Sequence, residues 1–169
     1  MKRTTLLALL LLLAALPLHA QFFLSGEDPA HIKWYTLESS HYQLIYPAGL
    51  DSLARVYATQ LEQFREPVGR SYGVIPGDGQ RKKLPVLLHP FNPYPNGSVS
   101  WAPARMDLQT LPNSVCSDPA PWSIQLVSHE PRHQAQLQMG ERKYFKAFRY
   151  IIGQSWHPVA YQVFLGHAL

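Results

Sequence analysis

The sequence predicts a domain of the α+β class. A strand pattern at His41–Tyr46 is followed directly by a helical pattern, and several short apolar runs precede a second helical pattern that starts near Trp122. Strands and helices in this order, with no internal repeat, are typical of the α+β class. The 169 residues are enough for one domain with a substantial hydrophobic core.

The N-terminus has the composition of a secretory signal peptide. Lys2 and Arg3 precede an unbroken apolar stretch from Leu6 to Leu18. The small residue Ala20 follows, and the sequence then becomes polar. Because the apolar stretch is shorter than the roughly 20 residues that cross a bilayer, a membrane anchor is the less favoured interpretation. We therefore expect cleavage of a signal peptide over residues 1–20, a mature chain with no membrane span, and export to the periplasm, the cell envelope or the medium.

Charge and cysteine content argue against a nucleic-acid-binding protein and against a protein stabilised by disulfides. The formal net charge is +4, and Lys2 and Arg3 of the signal peptide supply half of it. A charge this small does not favour nucleic acid as a partner. Cys116 is the sole cysteine, so no disulfide can form within the chain, and it is expected to be a small, half-buried residue. Stability must then come from packing or from a metal.

The first strand and helix follow from periodicity. Alternation over His41–Tyr46 predicts a half-buried strand that ends at Pro47. We expect Asp51 or Ser52 to cap the helix that follows. The apolar residues at helical spacing are Leu53, Tyr57, Leu61 and Phe64. Pro67 and Gly69 predict the end of this helix.

The middle of the chain predicts short strands separated by turns. The expected strands are Leu84–Leu88, Ser98–Trp101 and Met106–Leu111. A glycine-rich, basic segment at Gly77–Lys83 is expected to be a solvated turn. A proline-rich loop at Pro90–Pro95 and the turn signal Asn96-Gly97 separate the first of these strands from the second.

The C-terminal part predicts helices. The stretch from Trp122 has helical periodicity, with Leu126, Val127 and Ala135 as expected core residues. A further helix is expected over Tyr144–Ile152.

The helix from Trp122 contains His129-Glu130-Pro131-Arg132-His133, which has the pattern H-E-x-x-H. Residues four apart share a helix face, so His129 and His133 can bind one Zn²⁺ ion while Glu130 reaches a water bound to the metal. The pattern predicts zinc-dependent peptide hydrolysis, with Glu130 as the group that accepts and returns the proton. The chain has eight histidines, so a chance occurrence without a metal is the alternative.

Two segments together carry a resemblance to a known family. Asn96–Leu108 contains N-G-x-V-x-W-A-P, Thr110 and Pro112 follow it, and Ser128–Gln136 contains H-E-x-R-H. From about Trp34 to Gln154, the chain resembles exported bacterial zinc metallopeptidase-like proteins of the gluzincin type, which are often followed by a TolB-like β-propeller.

The resemblance implies a zincin-like fold, in which a small mixed sheet has an edge strand packed on the H-E-x-x-H helix. It implies His129 and His133 as Zn²⁺ ligands and Glu130 as the catalytic carboxylate. It also implies a peptide or protein substrate that pairs with the edge strand at Val99–Trp101. Trp101 has an alternative role as a core aromatic residue.

Pro131 departs from what an uninterrupted helix requires. A proline inside a helix removes one backbone hydrogen bond, here to the Val127 carbonyl, and costs about 3 kcal/mol. A helix that begins late, with Ser128 as its N-cap, would avoid this cost.

The sequence also departs from the family at the position of the third zinc ligand. The family takes it from a glutamate on a later helix, but no Asp or Glu follows Glu141, which itself lies close to His133 in the chain. His157 and His167 are stand-in candidates, although each is more readily explained as an ordinary histidine. We therefore expect residues 21–169 to form an incomplete zincin-like domain, the truncated form of a longer protein.

Three functions remain open at this stage. The domain is a metallopeptidase, inactive if the third ligand is missing, or a non-catalytic envelope protein that binds peptides or neighbouring envelope components on the same scaffold. A fragment without independent function is the third. The sequence predicts neither the oligomeric state nor the cleavage preference.

Overall fold

The strands form one mixed sheet in the computed structural model, which describes residues 28–29, 31–101, 103–112 and 119–139. Within these residues there are five strands and two helices. They are β1 (Trp34–Glu38), β2 (Tyr42–Pro47), α1 (Asp51–Tyr72), β3 (Leu84–His89), β4 (Gly97–Trp101), β5 (Ala104–Gln109) and α2 (Trp122–Met139). The predicted α+β class is confirmed.

The sheet has the strand order β1-β2-β3-β5-β4. The three central strands are parallel to one another, whereas β1 and β4 are antiparallel to their neighbours. Both antiparallel strands therefore lie at the edges. In β4, Gly97 pairs with Leu108 and Trp101 pairs with Ala104, so the strand begins at the end of the sheet where β5 finishes.

One face of the sheet forms the hydrophobic core with both helices. The sheet contributes Tyr42, Leu44, Val86, Leu88, Met106 and Leu108, and the helices contribute Ala54, Tyr57, Leu61, Leu126 and Val127. Burial of each large side chain stabilises the fold by about 1.5–3 kcal/mol. The alternation predicted for β2 and the helical spacing predicted for α1 and α2 are confirmed by these residues.

A buried ion-pair network lies on the other face of the sheet. His89 follows Leu88 in β3 and Asp107 lies between two core residues of β5, so alternation directs both away from the helices. His89 Nε2 lies 3.1 Å from Asp107 Oδ1, and its Nδ1 lies 2.6 Å from Asp28 Oδ2. Arg105 Nε donates to Asp107 Oδ2 at 2.8 Å. The network ties the segment before β1 to the central strands.

Helix α1 differs from its prediction at both ends. Leu50 is the N-cap residue and no side chain caps the helix, because Asp51 Oδ1 instead accepts a hydrogen bond from the Tyr46 hydroxyl at 3.0 Å. The expected end at Pro67 and Gly69 is also wrong, since the helix continues to Tyr72.

A left-handed glycine ends α1. Gly73 has φ 62° and provides the C-cap, and its amide donates to the Arg70 carbonyl. Gly69 has a packing role, because a Cβ there would lie 2.6 Å from Ile75 Cα. The missing side chain lets the chain fold back against the helix after Gly73.

Helix α2 passes through Pro131 without a break. It begins at Trp122, so the late start with Ser128 as N-cap is wrong. Ser128 Oγ donates to the Gln125 carbonyl at 3.0 Å inside the helix. Pro131 is fully buried, and burial of its ring offsets part of the lost hydrogen bond.

The remaining differences concern strand limits. Strand β1 is not predicted by alternation, because most of its residues are exposed and it is recognised only by its pairing with β2. The strand expected over Met106–Leu111 runs from Ala104 to Gln109. Within the described ranges, neither helix is long and apolar enough to cross a membrane. The expected signal peptide with Ala20, the residue Cys116 and the helix expected over Tyr144–Ile152 lie outside the described residues.

Candidate metal centre

Two imidazoles of α2 point at each other across one helical turn. His129 Nε2 and His133 Nε2 are 3.1 Å apart, and the ring planes meet at 76°. Zinc binds histidine nitrogen at about 2.0–2.1 Å, so two tetrahedral ligands stand roughly 3.4 Å apart. The observed separation is within a small side-chain rotation of that value. The two donors therefore fit a single zinc ion, and Pro131 does not turn them apart.

The environment of His129 favours its neutral, metal-binding form. Partial burial, and after it the proximity of His133 and Arg132, lowers the pKa of His129. An imidazole must be unprotonated at the ligating nitrogen to bind a metal. Lowering the pKa therefore favours the uncharged ring, which metal binding requires.

Glu130 lies on the inner side of α2. Its side chain is only 3% exposed, and burial raises its pKa to about 7. No described residue forms a hydrogen bond with its Oε2 atom. It is one of six buried side-chain oxygen or nitrogen atoms without a partner among the described residues, and of these six only Glu130 Oε2 belongs to the H-E-x-x-H motif, which makes this carboxyl the candidate catalytic group.

The carboxyl of Glu130 lies directly against the start of β4. A Cβ added to Gly97 would lie 2.5 Å from Glu130 Cδ and 2.6 Å from its Cγ, and would also overlap Oε1. Gly97 does not have a positive φ, so its role is to leave space. Sequence reasoning assigned Gly97 to a turn signal and missed this role. Its place in the N-G-x-V run was the available signal, but the contact with Glu130 joins distant parts of the chain.

A row of buried amides continues from Glu130 along α2. Gln134 Oε1 accepts a hydrogen bond from the Tyr42 hydroxyl at 3.2 Å, and Gln138 Oε1 accepts one from the Gly77 amide at 3.3 Å. These bonds connect α2 to β2 and to the turn after α1. They hold the helix, and with it the two histidines, at a defined position on the sheet.

A third metal ligand does not come from the described residues. No group of three or more His, Cys, Asp or Glu side chains that could hold a metal ion occurs in that part of the chain. Glu141, His157 and His167 lie outside it. The described site is thus two imidazole donors, one buried carboxyl and an adjacent strand edge.

No protein-family model, curated protein or solved structure matches the chain. A functional assignment therefore depends on the geometry of this site and on the motifs in its sequence.

Proposed function

We propose that the chain is an exported zinc-dependent metallopeptidase-like protein with a zincin-like fold that hydrolyses peptide bonds. One observation carries the proposal: the Nε2 atoms of His129 and His133 meet at 3.1 Å on the turn of α2 that also contains the buried Glu130. The N-terminal leader pattern supports the exported location, and the resemblance of the two motifs supports the family.

His129, Glu130 and His133 of α2 have different proposed roles in the reaction. His129 and His133 would hold zinc through their Nε2 atoms. The metal, when bound, supplies a Lewis acid for the scissile carbonyl and a water of lowered pKa. Glu130 would accept the proton that the attacking water loses and would deliver it to the leaving amine. A pKa of about 7 suits this role, because the carboxyl can both take up and release a proton near neutral pH.

The edge strand β4 is the proposed binding surface for the substrate backbone. No strand of the described residues pairs with its outer edge. An extended peptide can add to such an edge through main-chain hydrogen bonds. Because β4 starts at Gly97, against Glu130, a peptide bound along it would run past the proposed catalytic group.

Zinc content and hydrolysis test the proposal together. We expect about one zinc ion per purified chain, and the same content in Glu130→Gln, since Glu130 is not a ligand. Hydrolysis of a mixed peptide pool should fall by about 10²–10⁴-fold in this variant, because a general base contributes that much.

Glu66→Gln is the matched control, because it makes the same chemical change at an exposed carboxylate of α1 that pairs with Arg70. It should leave both zinc content and hydrolysis unchanged. A wild-type chain that takes up no stoichiometric zinc would contradict the proposal.

A second candidate function is a non-catalytic envelope protein that binds peptides on the same zincin-like scaffold. The unpaired edge of β4 favours it, since strand addition needs no metal. A catalytic zinc site uses three protein ligands and a water, whereas the described residues supply two. Peptide binding that survives both chelation of zinc and Glu130→Gln, in a chain without hydrolytic activity, would favour this function.

A further inference from the structure

Gln136 contacts the ring nitrogen of His133 that does not face His129. Its Oε1 lies 3.0 Å from His133 Nδ1. A carbonyl oxygen can only accept a hydrogen bond, so His133 Nδ1 must carry the proton in this pair. In the neutral ring, Nε2 then has a free lone pair directed towards His129.

Tyr72 contacts the amide nitrogen of Gln136. Gln136 Nε2 donates to the Tyr72 hydroxyl at 3.4 Å. Tyr72 is the last residue of α1, which packs against α2. In this arrangement the amide oxygen of Gln136 faces His133.

The two histidines are therefore in different states. The 3.1 Å contact between their Nε2 atoms requires one of the two to donate a proton. His133 Nε2 is the acceptor, so His129 Nε2 is the donor in the metal-free chain. No described residue bonds to His129 Nδ1, so nothing in that part of the chain opposes transfer of its proton to Nδ1 when a metal arrives.

We propose that Gln136 and Tyr72 are positioning residues that hold His133 as a preformed ligand, with the Nε2 lone pair available before zinc binds. His129 then becomes the second ligand by changing tautomer. The inference rests on the proposed function for its zinc site. It adds a hydrogen-bond chain from α1 through Gln136 to His133, which sets the order in which the two histidines are ready.

The test begins with the metal-free chain. The full chain, ¹⁵N-labelled and treated with a chelator, is studied by NMR under mildly alkaline conditions, where histidines are neutral. We expect the Nδ1–H tautomer at His133 and the Nε2–H tautomer at His129. In Gln136→Leu, His133 should become a mixture of tautomers, and Gln136→Glu, which keeps an acceptor, should restore Nδ1–H.

Titration with Zn²⁺ alone gives the second readout. Loss of the group that orients a metal-binding histidine weakens metal affinity by about 10–100-fold. We expect that loss in Gln136→Leu, a smaller loss in Tyr72→Phe, and near wild-type affinity in Gln136→Glu. Gln125→Leu is the matched control: it removes a side-chain hydrogen bond of 2.7 Å to the Ala120 carbonyl on the same helix, and should not change zinc affinity.

The outcomes separate the two proposals. An Nε2–H tautomer at His133 in the wild type, or zinc binding in Gln136→Leu as tight as in wild type, overturns the role of Gln136. The expected tautomers in a wild-type chain that binds no zinc would support the positioning contact and overturn the proposed function. Wild-type zinc affinity in Gln125→Leu together with loss in Gln136→Leu excludes a general effect of weakening α2.

Discussion

The loss of stability caused by adding a methyl group at Gly97 can be worked out from the structure. In Gly97→Ala, the new Cβ would lie 2.5 Å from Glu130 Cδ. Packed carbon atoms stand about 3.5–4.0 Å apart, so the carboxyl must move by roughly 1 Å. Glu130 is buried, and its displacement strains the surrounding core. We expect the free energy of unfolding to fall by about 1–3 kcal/mol, as is typical of overpacking.

The same displacement should affect the proposed chemistry. A catalytic group misplaced by about 1 Å costs about 10²-fold in rate. Urea unfolding of the purified chain measures the loss of stability, and hydrolysis of a peptide pool with zinc present measures the loss of rate. Zinc content should change little, because the three atoms nearest to the new Cβ all belong to Glu130, which is not a proposed ligand.

A double variant identifies the cause. Glu130→Ala removes Cγ, Cδ and both oxygens, so Gly97→Ala should cost far less stability in that background. Ser98→Ala, at the next position of β4, is the control for changing this strand without touching Glu130. An equal loss from Gly97→Ala in both backgrounds, or no loss in either, would refute the reasoning.

Three further predictions concern stability. Burial lowers the pKa of His89, but hydrogen bonds to Asp107 and Asp28 outweigh it and raise the pKa above its usual value. This network should therefore stabilise the fold fully below about pH 6.5, and its contribution should be lost as the pH rises through the raised pKa. The free energy of unfolding of Asp28→Asn, measured in urea, should then depend less on pH than that of the wild type. Tyr42→Phe leaves the buried Gln134 Oε1 without its donor and should lower the free energy of unfolding by about 1–3 kcal/mol, most of which Tyr42→Phe with Gln134→Leu should recover. Zinc at 100 times its Kd should stabilise the chain by about 2.7 kcal/mol, seen as a higher Tm that a chelator reverses and that His133→Ala abolishes.

Each of these has an outcome that contradicts it. The pH comparison is best made in the Glu130→Gln background, which removes the raised pKa of Glu130, and an unchanged pH slope in Asp28→Asn would contradict the role of the His89 network. A Tyr42→Phe variant as stable as wild type would show that Gln134 finds another donor. A Tm that rises with zinc in His133→Ala would place the metal elsewhere.

Periodicity was sufficient to predict the helices and strands that bury one face. The alternation of Tyr42, Leu44 and Tyr46 and the helical spacing of Tyr57 and Leu61 all predict the core correctly. The proximity of His129 and His133 was predictable in the same way, because one helical turn separates them whatever the rest of the fold does. These features depend on neighbours in the chain, so the sequence carries them directly.

Proline and glycine rules failed where packing opposed them. Pro67 and Pro131 both lie inside helices, each at a local cost of about 3 kcal/mol. Tyr57 and Leu61 of α1 and Leu126 and Val127 of α2 are buried in the shared core, and burial of two or more such side chains per helix, at about 1.5–3 kcal/mol each, offsets the local cost. The cap predicted at Asp51 failed similarly, because its carboxylate is engaged by Tyr46 of the sheet.

The sequence by itself determined the α+β class, the elements with a buried face and the pair of histidines one helical turn apart. Only the tertiary structure decided that Gly97 leaves room for the carboxyl of Glu130 and that Gln136 lies between Tyr72 and His133. The physical reason is the separation in sequence of the residues involved. Periodicity and helical spacing are properties of residues close together in the chain. The contacts of Glu130 and Gln136 join α2 to a strand and to a helix far away in the chain, so they exist only after the core has brought those elements together.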